Sequence, residues 1–164
     1  RDEVRRLCAT VTVLDDGLGQ GEMTVDDLFQ NPDTLSACLL SGCKNVSRAE
    51  KTGEHTLRAL DWGVELTAAA TVPDDLAHVG VRAHYVVPVD GPGKNVIPCT
   101  VQRVMEEVFS TVVMLSTPGG SSGLSRLRIE LSQAEWKTLE ARPTQYLRLE
   151  PGSLMLLRGP ARPR

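Results

Sequence analysis

The stretch that decides the fold is residues 78–101, HVGVRAHYVVPVDGPGKNVIPCTV. Its first half, residues 78–89, alternates apolar and polar side chains, which predicts one long β-strand. One face of that strand would carry Val79, Val81, Ala83 and Tyr85. The DGPGK segment is a loop, and a second strand rich in β-branched residues follows it. Two strands joined by a glycine-containing loop predict a β-rich domain.

Short apolar runs continue on both sides of this stretch. KNVSRAE, HTLRAL and VELTAA precede it, and VFSTVVMLST, LRIEL, YLRLE and SLMLLR follow it. Turns every 8–12 residues favour a small barrel or a sandwich. Between LRIEL and YLRLE, Ser132 with Glu135 three residues later predicts a capping box at the start of a short helix.

The sequence also contains a faint internal repeat. Lys44-Asn45-Val46 recurs fifty residues later as Lys94-Asn95-Val96, each time after a glycine-containing turn and at the start of a strand. Three matching residues are a weak signal alone. Together with two β-rich halves of similar length they suggest two related β-units packed together.

Residues 1–42 have a different character. They hold three basic and eight acidic residues, whereas the remainder holds fifteen and thirteen. The pattern predicts a short helix, a hairpin closed by an Asp-Asp-Gly turn, a helix capped by Thr24, and another that Asp33 can cap. We therefore divide the chain into an α/β segment at 1–42, a β-rich domain at 43–158, and a disordered tail at 159–164.

Composition excludes several function classes. A net charge of −3 and an aromatic content of 4% are unlike those of a nucleic-acid binder, so no nucleic-acid partner is expected. Four cysteines without a CxxC pair, and three scattered histidines, predict no metal site and reduced structural thiols in a cytosolic protein. No apolar run approaches the ~18 residues needed to span a bilayer.

The first segment resembles the end of the nucleotide-binding domain of ABC-transporter ATPases. The resemblance lies in the order of RDEVRRLC, VTVLDDG and TVDDLFQNPDTLSACLLSG. It implies that the chain is the C-terminal part of such a subunit. The sequence contains no GxxxxGK[ST] loop, signature loop, Walker-B carboxylates or switch histidine. We therefore expect no catalytic residue, no enzyme activity and no cofactor here, with ATP and Mg²⁺ bound in the rest of the parent subunit.

The second segment, from about Cys43, resembles the TOBE or molybdate-binding-protein-like domains of molybdate, tungstate and sulfate importers. HVGVRAHYV and GKNVIPCTV carry the resemblance, with Asn95 and Val101 matching the family pattern. Lys94 stands where arginine is usual, and Pro92 and Cys99 replace a serine and a glycine. The resemblance implies a mainly β, OB-like small barrel and a bound molybdate, tungstate or sulfate.

Five residues are candidates for holding such an oxyanion. Lys94 and Asn95 could offer an ammonium and an amide N–H, and the repeat extends the same role to Lys44 and Asn45. Arg82 could serve the same anion. Ordinary structural roles remain open, because asparagine stabilises turns, surface lysines are solvated, and a strand arginine usually pairs with an acid. The two tryptophans, Trp62 and Trp136, are expected to be packing residues.

The preferred functional hypothesis is a regulatory and dimerising domain of an importer's ATPase subunit, which senses the transported anion. The expected partners are a second copy of the subunit and the transmembrane permease subunits. The expected location is the cytoplasm, at the inner face of the membrane. Two alternatives stay open: a stand-alone oxyanion-binding storage or sensor module, and the regulatory domain of a sugar, polyamine or iron importer.

Overall fold

The computed structural model describes residues 2–159, so the predicted tail lies outside the described residues apart from Gly159. The N-terminal unit, residues 2–42, contains a two-stranded hairpin and three short helices. These are α1 (Asp2–Leu7), β1 (Thr10–Asp15), β2 (Leu18–Thr24), α2 (Val25–Gln30) and α3 (Leu35–Leu40). Asp16 and Gly17 both adopt positive φ at the hairpin turn, as the Asp-Asp-Gly sequence predicted.

Both predicted helix starts in this unit exist, but one cap was assigned to the wrong residue. Thr24 caps α2, since its Oγ1 accepts a hydrogen bond from the N–H of Asp27 at 3.1 Å. Thr34, and not Asp33, caps α3 through an extended backbone and a bond from Ala37. The carbonyl of Asp33 instead accepts from the N–H of Arg158, which ties this unit to the last strand.

The β-domain, residues 43–158, contains ten strands in two five-stranded sheets. The strands are β3 (Asn45–Lys51), β4 (Thr56–Ala59), β5 (Val64–Thr67), β6 (Leu76–Val81), β7 (Val86–Val89), β8 (Val96–Glu106), β9 (Thr111–Ser116), β10 (Arg126–Leu131), β11 (Gln145–Leu149) and β12 (Met155–Arg158). One sheet has the order β10-β9-β8-β11-β7 and the other β12-β6-β3-β4-β5. The prediction of a mainly β, OB-like fold is confirmed, with each sheet curled into a half-barrel.

The prediction of one continuous strand over residues 78–89 is wrong. A 3₁₀ turn at Ala83–Tyr85 separates β6 from β7, closed by a hydrogen bond from the N–H of Tyr85 to the carbonyl of Arg82. The two strands then enter different sheets, β6 beside β3 and β12, and β7 beside β11. Apolar alternation continues on both sides of the turn, which is why the pattern concealed it.

The β-domain is built from two units whose strands follow one another in the same arrangement, as the repeat suggested. The first β-unit, β3 to β7, matches the second β-unit, β8 to β12, strand by strand. A 3₁₀ turn precedes the last strand of each unit, at Ala83–Tyr85 and at Pro151–Ser153. Each last strand pairs with the other unit, since β7 joins β11 and β12 joins β6. The two units therefore exchange their final strands.

The main hydrophobic core lies between the two sheets, and a smaller one packs Val46, Met155 and Leu157 against α3. Matched positions of the two units are fully buried in the main core, including the pair Leu57 and Leu115 and the pair Leu66 and Leu127. Each such side chain contributes about 2 kcal/mol of hydrophobic stabilisation. Trp62 is also fully buried and donates from Nε1 to the carbonyl of Leu124 at 3.1 Å. Its predicted packing role is confirmed.

One helix, α4 (Gln133–Leu139), crosses between β10 and β11 and packs against the core through the buried Trp136. Ser132 and Glu135 form both hydrogen bonds of the predicted capping box. Within residues 2–159, no helix has the length and apolar character that crossing a bilayer would require.

Candidate functional site

Each β-unit has one buried asparagine at the beginning of its first strand. Asn95 precedes β8, and Asn45 is the first residue of β3. The Asn95 side-chain amide donates to the carbonyls of Thr67 and Leu149 at 2.8 and 2.9 Å and accepts from the N–H of Thr67 at 2.8 Å. The side chain therefore pairs with the edge strand β5 of the other unit as a backbone strand would.

Asn45 does the same at the equivalent place. Its amide donates to the carbonyl of Arg128 and accepts from the N–H of Arg128, both at 2.7 Å. Arg128 lies on β10, the strand of the second β-unit that corresponds to β5. We call these two interactions the asparagine clamps, since each joins the start of one unit to the edge strand of the other.

The clamps limit what the amides can do for a ligand. Asn95 uses both amide N–H bonds and its oxygen within the protein, and it is only 6% exposed. Asn45 is 1% exposed. Both side chains therefore have a structural role, but their hydrogen bonds join distant strands and do not stabilise the local turn. An oxyanion-binding role for either residue stays a prediction, and it would need the neighbouring groups rather than these amides.

Lys44 and Lys94 are the neighbouring groups with free charge. Both are exposed, and within residues 2–159 neither forms an ion pair. Each is held next to a buried clamp residue, so its backbone position is fixed while its ammonium reaches solvent. This combination suits a weak, exposed contact to an anion.

Arg82, the fifth predicted site residue, points toward the N-terminal unit. Its Nη2 donates to the carbonyl of Phe29 and to the hydroxyl of Ser41, the latter at 3.0 Å. The described residues give it no carboxylate partner, so the alternative of a strand ion pair is not what the structure contains. Arg82 instead links the β-domain to the N-terminal unit.

Strand register gives the two Lys-Asn turns unequal electrostatic surroundings. Asn45 pairs with Val81, and Arg82 is the next residue along the chain. The 3₁₀ turn that follows Arg82 packs against β10. Around the first turn the chain thus places Lys44, Arg82 and Arg128. Around the second turn Glu150 follows Leu149, and Thr67 stands where the first site has an arginine. The first turn is the more cationic of the two.

Sequence reasoning missed Arg128 and Thr67. Nothing in the local pattern of β10 or β5 separates these residues from other strand positions. The signal that could have found them is the repeat itself, because matching the two units strand by strand places Thr67 and Arg128 at equivalent positions. Residue identity differs at that position, so a search for identical letters does not find it.

Two buried thiols lie beside the first turn. Cys38 lies in α3 and Cys43 precedes β3, and the Cys43 thiol donates weakly to the carbonyls of Asn45 and Val81 at 3.4 and 3.5 Å. A hydrogen bond between the two thiols raises the pKa of Cys38 and lowers that of Cys43. All four cysteines are free thiols. No group of three or more potential metal ligands exists among residues 2–159.

Comparison with known proteins gives a fold match without a sequence match. No protein-family model and no curated protein matches the chain. Among solved structures, the chain is similar to a crystal form of the cytoplasmic molybdate-binding protein ModG with molybdate bound, with a TM-score of 0.52 at 16% identity. The match covers 70% of this chain and 96% of ModG. The likeness shows that the two chains share a fold.

Proposed function

We propose that this chain is an oxyanion-binding regulatory domain of the ATPase subunit of an ABC importer, for an anion such as molybdate or tungstate. One observation carries the binding part: the fold matches nearly the whole of ModG, a molybdate-binding protein. The paired Lys-Asn turns support it, because they occupy equivalent places in the two β-units. The order of elements in residues 1–42 supports the importer part through its resemblance to ABC ATPases.

The proposed binding groups are the ammonium groups of Lys44 and Lys94, with backbone N–H groups of their turns. A tetrahedral oxyanion needs several donors and at least one cation close by. The clamps fix the turn backbone, so little ordering is needed when the anion binds. Since Arg82 and Arg128 lie near the first turn, the Lys44 site should bind more tightly than the Lys94 site.

Regulation follows from population shift. Two copies of the chain would pack together in the full importer, at the cytoplasmic face of the membrane and below the permease subunits. An anion can bias such a pair only by binding one arrangement of the copies more tightly than the other. The domain itself performs no chemistry in this proposal. It binds an anion and transmits its presence.

A stand-alone storage or sensor module is the second candidate. ModG is a cytoplasmic molybdate-binding protein, and the shared fold fits a stand-alone role equally well. A regulatory domain of a sugar, polyamine or iron importer is the third. In that case the fold would be kept while the anion sites are not used.

Calorimetric titration with molybdate, tungstate and sulfate tests the binding part. We expect saturable heat with at least one anion. Lys44→Gln should weaken binding about five- to tenfold, which corresponds to about 1 kcal/mol, and Lys94→Gln should weaken it less. Lys137→Gln is the matched control, because Lys137 is an exposed lysine on α4, an element that contains neither Lys-Asn turn. No heat with any of the three anions would refute oxyanion binding.

Sedimentation and gene context test the rest. A dimer at micromolar concentration, tightened by the anion that binds, supports the regulatory role. A strict monomer in both conditions counts against it. A permease gene and an anion-receptor gene beside the gene for this chain support an importer, whereas anion binding without such neighbours favours the stand-alone module.

A further inference from the structure

A large cleft lies between the N-terminal unit and the β-domain. It is an open cleft of about 900 Å³, lined by α1, the end of α2, the loop after β5 and the 3₁₀ turns at Ala83–Tyr85 and Pro151–Ser153. The clamps and the two Lys-Asn turns do not line it. We call it the junction cleft. Its size is that of a small-molecule site, and a lone tetrahedral anion would fill only a small part of it.

Two guanidinium groups converge at this cleft. Arg82 donates to the backbone carbonyl of Phe29, and the Arg5 guanidinium lies 5.7 Å from the centre of the Phe29 ring. Both cations are therefore held against the same residue. Among the lining residues that the structure describes, Asp33 is the one carboxylate. In a chain with net charge −3, a cleft with two cations and one acid is a local positive site.

Two aromatic rings and neutral polar groups also line the cleft. The rings of His84 and Tyr85 pack together with their centres 4.2 Å apart, and Tyr85 is 50% exposed. Thr71 and Ser153 add hydroxyl groups to the lining. The half-exposed Tyr85 ring can stack against a base or a sugar, and the hydroxyl groups can donate hydrogen bonds to its polar edge.

We propose that the junction cleft binds a small phosphate monoester. Its phosphate would lie between Arg5 and Arg82, and its organic part would lie against His84 and Tyr85. A phosphate monoester carries close to two negative charges at pH 7 and matches the planar fork of arginine. The ligand touches both the N-terminal unit and the β-domain, so its binding stabilises their packing. This site shares Arg82 with the surroundings of the first Lys-Asn turn, but Arg5, His84 and Tyr85 belong to the cleft alone.

Titration of the whole chain with adenosine monophosphate, ribose 5-phosphate and inorganic phosphate tests the proposal. We expect adenosine monophosphate to bind more tightly than inorganic phosphate, with ribose 5-phosphate equal to the nucleotide or between the two. Arg5→Gln should weaken the nucleotide at least about fivefold. Arg6→Gln is the matched control, since Arg6 lies on the same helix but outside the cleft lining.

Two further variants test whether the nucleotide binds in the junction cleft or at a Lys-Asn turn. Tyr85→Ala should weaken the nucleotide and leave inorganic phosphate unchanged, because only the organic part reaches the ring. Lys44→Gln should leave nucleotide binding unchanged. The proposal is overturned if none of the three ligands binds at up to about 10 mM. It is also overturned if inorganic phosphate binds as tightly as the nucleotide, if Arg5→Gln behaves like Arg6→Gln, or if Lys44→Gln abolishes nucleotide binding.

Discussion

Replacing Asn95 with alanine removes three hydrogen bonds and leaves backbone groups of β5 and β11 without partners. At about 1 kcal/mol for each bond, this destabilises the folded state by about 3 kcal/mol. Asn95 also has φ of +57°, where alanine is strained by about 1 kcal/mol more than asparagine. Asn95→Ala should therefore lower the free energy of unfolding by about 4 kcal/mol.

Two companion variants separate these contributions. Asn95→Gly loses the same hydrogen bonds, but glycine adopts positive φ without strain. It should therefore lower the free energy of unfolding by about 3 kcal/mol. Asn45→Ala loses two bonds at an ordinary φ and should cost about 2 kcal/mol. Asn31→Ala is the control, because Asn31 is exposed and its side chain makes no hydrogen bond among the described residues; its effect should stay within about 0.5 kcal/mol.

Urea unfolding followed by tryptophan fluorescence measures the series, since Trp62 is buried in the core. The midpoints should fall in the order Asn31→Ala, Asn45→Ala, Asn95→Gly, Asn95→Ala, with unchanged slopes. If Asn95→Gly is no more stable than Asn95→Ala, the account of positive φ fails. If both clamp residues tolerate alanine with less than about 0.5 kcal/mol lost, the clamps do not hold the units together.

Particular contacts and buried groups lead to three more predictions. Gly119→Ala should lower the free energy of unfolding by more than about 3 kcal/mol or give no soluble protein, because its Cβ would clash with the backbone carbonyl of Asp61. A Cβ at Gly91 would have no atom within 4 Å, so Gly91→Ala should not change the stability in the same urea assay. Native protein should expose one fast-reacting thiol, Cys8, to a colorimetric thiol reagent, and the three buried thiols should react only after unfolding; four fast thiols would contradict the buried packing. Burial lowers the pKa of His78, so the unfolded state takes up the proton first and stability should fall as pH drops below about 6.5. Guanidinium unfolding at pH 7.5 and at pH 5.5 measures this loss of stability, which should be smaller in His78→Gln. An equal loss in the variant would mean that other groups cause it.

Local chemistry made much of the secondary structure predictable. The capping box at Ser132, the cap at Thr24 and the Asp16-Gly17 turn all depend on residues within a few positions of each other. Such signals act before tertiary contacts form, so they can be read from the chain alone. Thr34 shows the limit, since two neighbouring residues could both cap α3 and only the backbone direction selects one.

Tertiary choices were not predictable in the same way. The break at Ala83–Tyr85 sends β6 and β7 into different sheets, yet the apolar alternation is the same before and after it. The direction of the Arg82 side chain also depends on Phe29 and Ser41, which are far away in sequence. The five candidate site residues were therefore chosen by residue type and motif. Their hydrogen-bond partners became known only from the structure.

The exchange of final strands gives the clamps their importance. A β-unit that keeps its own last strand can open without its neighbour, but here each sheet is completed by a strand of the other unit. The clamps add a second crossing connection at each start, from Asn45 to β10 and from Asn95 to β5. Opening either unit must break contacts with both sheets, so the β-domain should unfold as one cooperative body. The hydrogen bonds from Arg82 to the carbonyl of Phe29 and to Ser41 then attach the N-terminal unit to this cooperative body.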